Sequence, residues 1–428
     1  MQMKLPHSRS TVAAIADGTH AHWSAPSATQ PFSSHDERPE IAGLRGLAIL
    51  SLLAIHVAPS LSRGGVIGID IFFVVSGYLL ARALIRQGAG APHLIAFLGR
   101  RLQRTVPALV AMLIGCLAFA TLFTLPKDLQ LLGRSMAWGA GLLSNFDAWR
   151  RDVPIDAAQA LDPLSHLWPV AAIAQGGLLL VLLTWMLRSH PRSLLAVIGL
   201  TGLGSLAFNL LAVAEAPGAA FYLLAGRWWE LMAGAGLALC VSADRRAAIA
   251  QPGGRSVGSM VAPHLGWLGI GCFAVAIWLA DDTLHFPGAW ALWPVAGTLC
   301  LLAAGPQEWV NRHVFAQPVL RFYGRVSYPL YLWHWPVLCF PLLLGVPLSV
   351  DVRVLVLIAS VVLAGLTHEL IDKPVTQLRS TVRLSGMLLA ALAACAALGA
   401  FVAATDGLRF TFPAELQSLS LQGALPAH

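Results

Sequence analysis

Eleven stretches of mostly apolar sequence constrain this chain more than any other feature, because each approaches the roughly 20 residues that a helix needs to cross the hydrocarbon of a bilayer. They run at about 44–61, 66–83, 105–125, 168–187, 193–214, 220–241, 262–280, 287–304, 326–345, 352–371 and 384–404. Only 11% of the 428 residues are charged, where a soluble domain carries about 25%. A soluble enzyme, a disordered protein and a disulfide scaffold are thereby excluded. Fourteen tryptophans and 39 glycines suit bilayer helices, since tryptophan favours the membrane interface and glycine lets helices approach closely. The expected fold class is all-α, a polytopic integral membrane protein with about 11 transmembrane helices. A further stretch, 130–147, is broken by Arg134 and reads as a surface helix.

Loop charge sets the expected orientation, because cytoplasmic loops retain Lys and Arg. With the N-terminus cytoplasmic, inner segments hold 19 of the 28 basic residues and outer segments seven, while Arg45 and Arg227 fall in or beside spans. The C-terminus is then extracytoplasmic. The net charge of +7 comes from short clusters between spans rather than a basic helical face, so no nucleic-acid partner is expected. Cys116, Cys240, Cys272, Cys300, Cys339 and Cys395 lie far apart in apolar stretches and read as core residues. Residues 1–37 are polar and read as a disordered cytoplasmic tail, ahead of a membrane domain at 38–375, a final helix within 376–404 and an extracytoplasmic tail at 405–428. No metal-ligand spacing is present.

Ionisable residues inside apolar spans are the chemical signal, because even a lenient scale places their cost at about 2.5 kcal/mol or more at mid-helix. Arg45 and His56 are eleven positions apart, which returns a helix to nearly the same face with the two backbones ~16 Å apart. That geometry suits a long ligand whose anionic end meets the arginine and whose reactive end meets the histidine. An interfacial arginine and a histidine bonded to a neighbouring helix is the plainer alternative. Asp70 follows in the second span, with Ser76 six positions on, and is placed to orient an imidazole, to accept a bond from a hydroxyl substrate or as a simple interfacial carboxylate. Arg100, Arg101 and Arg104 open the third span, as a phosphate-binding group or as ordinary inner-loop charge. Arg227 and Glu230, three apart, can pair on one helix. Ser327, Tyr328, Tyr331 and His334 form a polar stripe among tryptophans, which suggests a cavity rather than lipid.

Several segments occur in a telling order: R-P-E-I-A-G-L-R-G-L-A-I-L with His56, G-G-V-I-G-I-D-I-F-F-V-V-S-G-Y, P-L-S-H-L-W, F-Y-L-L-A-G-R-W-W-E-L and G-R-V-S-Y-P-L-Y-L-W-H-W-P. Over about residues 38–375 the chain resembles the membrane acyltransferase family 3, in its O-antigen acetylase-like branch. The resemblance implies transfer of an acyl group, usually acetyl from cytoplasmic acetyl-CoA as co-substrate, to a sugar hydroxyl of a surface or secreted glycan such as lipopolysaccharide. A multi-pass bacterial inner-membrane location follows. Arg45 and His56 match the family's arginine, ten residues, histidine motif. Asp70, Ser76, Arg104, His166, Trp168, Tyr222, Arg227, Glu230, Ser327, Tyr328 and His334 fall on its other recurrent positions. The expected assignment is His56, Arg45 and Asp70 as catalytic and Arg45, Arg100, Arg101 and Arg104 as donor-binding. The remaining residues named would bind substrate, and no cofactor would be tightly held.

Departures from the pattern are equally informative. Where the family reads H-T-W-S-L-S-V-E-E-Q-F-Y, this chain reads H-L-W-P-V-A-A-I-A-Q-G-G, so Ile173 and Ala174 replace two glutamates and Gly176 and Gly177 replace an aromatic pair. If the lost carboxylate only tunes His56, slow acetyl transfer is expected; if the acceptor pocket is remodelled instead, the extra space at Gly176 and Gly177 is expected to admit a larger glycan or acyl group. Ala42 stands where an aspartate is usual. The extracytoplasmic hydrolase domain with which many relatives continue is not found before His428. His56 is expected to act as general base on the glycan hydroxyl, with an acyl-histidine relay as the variant. A catalytically silent assembly partner and a transporter are the rival classes.

Overall fold

The computed structural model describes residues 38–57, 63–87, 91–151, 161–250, 257–280 and 286–413. The expected tail at 1–37 lies outside these residues, as does the part of 405–428 beyond 413. The elements that matter to the site are α1 (Pro39–Val57), α2 (Ile67–Gln87), α3 (Ala91–Phe123), α4 (Pro126–Ala140), α5 (Ser144–Arg150) and α6 (Trp168–Met186). The chain continues through α7 (Pro191–Glu215), α8 (Pro217–Tyr222), α9 (Leu224–Ala250), α10 (Val257–Trp278), α11 (Leu292–Ala304) and α12 (Pro318–Leu343). Three more helices follow: α13 (Val350–Thr367), α14 (Lys373–Gln377) and α15 (Val382–Ala404). Among the described residues each of the eleven apolar runs is mostly helical, and the regular elements are helices.

By length and composition, seven helices among the described residues can cross a membrane: those within Pro39–His56, Ile67–Arg86, Leu94–Phe123, Ser165–Met186, Pro191–Glu215, Val350–Gln377 and Val382–Ala404. The expected count of eleven is therefore not reached on that measure. Pro263–Trp278 and Ala289–Ala304 are apolar but shorter, and α9 and α12 carry charged residues such as Arg245 and Arg246 or Arg321 and Arg325. Leu200, Leu203 and Leu211 on α7 and Leu355 and Ile358 on α13 remain exposed, as lipid-facing side chains do, since lipid imposes no penalty for apolar exposure.

Several helix starts follow from proline at the first helical position, where its missing N–H is harmless: Pro39, Pro126, Pro191, Pro217 and Pro318. Thr381 caps α15 by accepting from the Leu384 N–H at 3.1 Å. The helices then pack through residues without side chains. A Cβ at Gly43 would collide with the Phe315 backbone in the turn before α12, one at Gly46 with the Leu320 carbonyl, and one at Gly324 with the Ala42 carbonyl, so α1 lies backbone to backbone along the start of α12 and the turn ahead of it. Gly77 against Leu231 and Gly234 against Val74 do the same for α2 and α9. Such approaches replace the hydrophobic driving force that lipid cannot supply.

Residues 130–147 depart from the expected surface helix. Leu129, Leu132, Met136 and Ala140 of α4 are buried, and Gly133 sits against the Gly399 carbonyl of α15. Arg134 does not interrupt this face, because its guanidinium reaches aside to Asp147 at 3.3 Å. Two large cores result, one built largely from α1, α2, α6 and α9, the other from α3, α4, α12 and α15, with smaller clusters where α12 meets α1 and α13.

Candidate active site

A cavity of about 260 Å³ is lined by residues of both cores, from α1, α2, α3, α6, α12 and α15. Arg45, Arg101 and Arg104 line it together with Ser76, Ile173, Ala174, Ser327, Tyr328 and Tyr331, and no Asp or Glu is among its lining residues. Arg45 and Arg104 oppose each other's charge. Arg101 lies apart from that pair, donating from Nη2 to the Ile173 carbonyl at 3.2 Å. Arg104 is exposed and Arg45 and Arg101 are half-buried, so three cations gather at the cavity with no carboxylate among its described lining residues, which suits it chemically to a polyanionic ligand. Arg100 is exposed and does not line the cavity.

Gly177 does not open the space expected of it. A Cβ there would lie 2.9 Å from Arg101 Nη2 and 3.0 Å from its Cζ, and one at Gly176 would meet Leu231 and Leu224 at 3.1 and 3.2 Å. The missing aromatic side chains are replaced by an arginine and two leucines from elsewhere in the fold.

Beyond the cavity, α12 carries the site onward. Tyr331 lines the cavity, and its ring lies 5.4 Å from that of His334 and 5.5 Å from that of His166. His334 in turn meets His166 at 5.5 Å and His56 at 5.3 Å, both edge to face. Three histidines from α1, the turn Ser165–Leu167 and α12 thus share one cluster. His56 Nδ1 donates to the Leu52 carbonyl at 2.6 Å and His334 Nδ1 to the Tyr331 carbonyl at 2.6 Å. A carbonyl can only accept, so Nδ1 carries the proton in both neutral rings and Nε2 is the basic nitrogen. His166 donates from Nε2 to the Leu332 carbonyl at 3.1 Å. Among the described residues no group of His, Cys, Asp and Glu is arranged to hold a metal ion.

Asp162, on which the sequence reading placed no weight, holds this cluster in place. Its carboxylate accepts from Ser135 Oγ at 2.6 Å, Arg151 Nη2 at 2.7 Å and the Leu164 N–H at 3.0 Å, and its carbonyl accepts from Trp335 Nε1 at 2.9 Å. The Trp335 ring lies 5.1 Å from that of His56, and the Tyr331 hydroxyl donates to the His166 carbonyl. Burial opposes the Arg151 charge, but the Asp162 and Asp147 carboxylates hold its pKa above the usual arginine range. The basic pair Arg150–Arg151 eleven residues upstream is the signal that could have drawn attention to Asp162.

Asp70, expected beside the imidazole, belongs to a different group. Its Oδ1 accepts from Arg227 Nη1 at 2.7 Å, and Glu230 Oε1 accepts from the same nitrogen at 2.8 Å. The Arg227–Glu230 pairing is as the spacing predicts. The guanidinium is fully buried beneath Trp168, Phe221 and Phe286, with its carbon 5.1 to 5.7 Å from their ring centres. Tyr222 packs on Trp168 at 5.4 Å. The structure therefore separates Asp70, Trp168, Tyr222, Arg227 and Glu230 from the cavity lining and from the histidine cluster. Ser327 Oγ donates back to the Gly324 carbonyl at 3.0 Å, and the Tyr328 hydroxyl to the Thr105 carbonyl at 2.9 Å.

An all-helical membrane protein with an arginine-lined cavity running toward a histidine cluster is the class defined by these features. The chain belongs to the acyltransferase 3 family, whose acyltransferase domain matches residues 38–369. It is similar to the peptidoglycan O-acetyltransferase OatA of Listeria monocytogenes serovar 1/2a, 27% identical over 354 residues that make up 79% of this chain and 55% of that protein. It is 28% identical over 361 residues to the putative peptidoglycan O-acetyltransferase YrhL of Bacillus subtilis, covering 80% of this chain and 55% of that one. The O-acetyltransferase OatA of Staphylococcus aureus is 25% identical over 351 residues, 79% of this chain and 57% of the relative. The chain spans about half the length of the curated relatives it matches. No solved structure matches it.

Proposed function

We propose that the chain is a membrane O-acyltransferase that moves an acetyl or short acyl group from cytoplasmic acyl-CoA to a hydroxyl of a cell-surface polysaccharide. The observation that carries this reading is the cavity itself: three arginines and no carboxylate line it, and Tyr331 in its wall leads to His334 and His56. The phosphates of the donor bind Arg45, Arg101 and Arg104, and the thioester reaches along α12 toward the histidines. His56 Nε2 removes the proton of the glycan hydroxyl as the oxygen attacks the acyl carbon, a role worth on the order of 10²–10⁴ in rate. The arginine end faces the cytoplasm of a bacterial inner membrane and His56 the outer side, with the eleven apolar runs as crossings. The names of its relatives make peptidoglycan the acceptor to offer first, ahead of lipopolysaccharide and secreted glycans.

The test uses the full chain in liposomes with labelled acetyl-CoA and peptidoglycan fragments or lipopolysaccharide. Base-labile label in the glycan is expected. Absence of both label transfer and acetyl-CoA binding would favour a silent assembly partner. A reporter fused after Arg101 should be active inside the cell and one after His428 outside; the reverse would end the inside-to-outside route.

A further inference from the structure

The histidine cluster contains more basic nitrogens than the single base that a direct transfer requires. His56 is half-buried at the end of α1, whereas His334 is only 5% exposed. His334 is also the ring that touches His56, His166 and Tyr331, the last of which lines the donor cavity. Tyr331 meets both His334 and His166, and of these two His334 is the one whose ring also packs on that of His56, so His334 bridges the cavity wall and His56. Both rings hold an Nδ1 proton on a carbonyl of their own helix, so in each neutral ring Nε2 is the nucleophilic or basic atom.

We infer that His334 carries the acyl group in passage. The inference rests on the acyl-transfer reading above and deepens it. The lone pair of His334 Nε2 attacks the thioester carbonyl, a C–N bond forms, the C–S bond breaks, and the thiolate departs into the arginine-lined cavity. The acyl group is then held on an imidazole that is almost wholly excluded from water, which suppresses its hydrolysis. The glycan hydroxyl next loses its proton to His56 Nε2 and attacks the acyl carbon, and the C–N pair returns to His334. His56 releases its proton to water and the thiolate takes one, so the sum is thioester plus alcohol giving ester plus thiol. A nucleophile paired with a separate base is the general logic of covalent catalysis.

The experiment follows the two half-reactions in the full chain, in liposomes, with labelled acetyl-CoA. His56→Gln should lose glycan transfer yet accumulate label on the protein with release of CoA, and peptide mapping should place that label on His334. His334→Gln and His334→Asn should lose both the protein label and the CoA release while still binding acetyl-CoA, which shows that they are folded. Label mapped to His56, protein label retained in both His334 variants, or glycan transfer at the wild-type rate without His334 would overturn the inference. The proposed function would survive those results; it fails separately, if the wild-type chain neither binds donor nor labels any glycan.

Discussion

Arg101 occupies the volume beside Gly177, its Nη2 2.9 Å from where a Cβ on that residue would stand. Gly177→Leu should therefore push the guanidinium out of the cavity wall. Loss of a charged hydrogen-bonding group costs about 1.5–3 kcal/mol, so the KM for acyl-CoA should rise roughly 10- to 100-fold on the same basis. Titration of donor against initial rate checks it; an unchanged KM would remove Arg101 from the donor site.

Ile173→Glu concerns the same arginine. The Ile173 side chain lines the cavity and its carbonyl already accepts from Arg101, so the new carboxylate would pair with Arg101 and neutralise it. Weaker acetyl-CoA binding with normal accumulation is expected. Faster acetyl transfer would show instead that the carboxylate assists His56.

Arg45→Ala should mainly weaken donor binding, and Arg45→Lys should restore only part of it, because a point charge replaces a forked donor. His56→Ala should abolish glycan acylation while the protein still inserts and accumulates. Wild-type acylation by the His56 variant would refute its role as base.

Much of this arrangement was legible because a bilayer expels charge. Arg45 and His56 stand out in the first apolar run, Arg101 and Arg104 at the head of the third, and the eleven-residue interval of the first two placed one at the cavity and the other at the histidine cluster. Partnership across the chain was not legible. Asp70 and Arg227 are 157 positions apart, and a buried carboxylate looks the same in sequence whether it meets an imidazole or a guanidinium. Gly177 misled for a related reason: sequence shows that a side chain is missing, and not which long side chain from another helix fills the place. Arg134 likewise resembled a break in an apolar run, although it leaves the buried face of α4 through a single ion pair.

Asp162→Ala should be destabilising, since it takes one of two carboxylates from Arg151, which keeps Asp147, removes the acceptor of Ser135 and unties the turn that carries His166. Breaking a buried ion pair costs about 3–5 kcal/mol, readable as a lower unfolding midpoint in detergent. Asp162→Asn, which retains some acceptors, should lose less. Equal stability for Asp162→Ala and wild type would contradict the assignment of a holding role.

Arg227→Met leaves Asp70 and Glu230 buried without their cation, at a cost again of about 3–5 kcal/mol. The variant should fail to accumulate in membranes. Adding Asp70→Asn and Glu230→Gln should recover accumulation, and full recovery of acetyl transfer in that triple variant would mark the group as architectural. Failure of the triple variant to accumulate would refute the charge-compensation account.

The backbone contact of α1 with α12 at Gly46 and Gly324, continued at Gly43 by Phe315 just ahead of α12, bears on how a group is carried through a membrane. Two helices meshed without intervening side chains cannot slide past one another, and Arg353 further pins the last turn of α1 by donating to the His56 carbonyl at 2.7 Å. The interval between Arg45 and His56 is consequently a ruler rather than an arm. A donor must bring its own length to the far end, so acyl carriers whose anionic group sits closer to the thioester should occupy the arginines and deliver nothing.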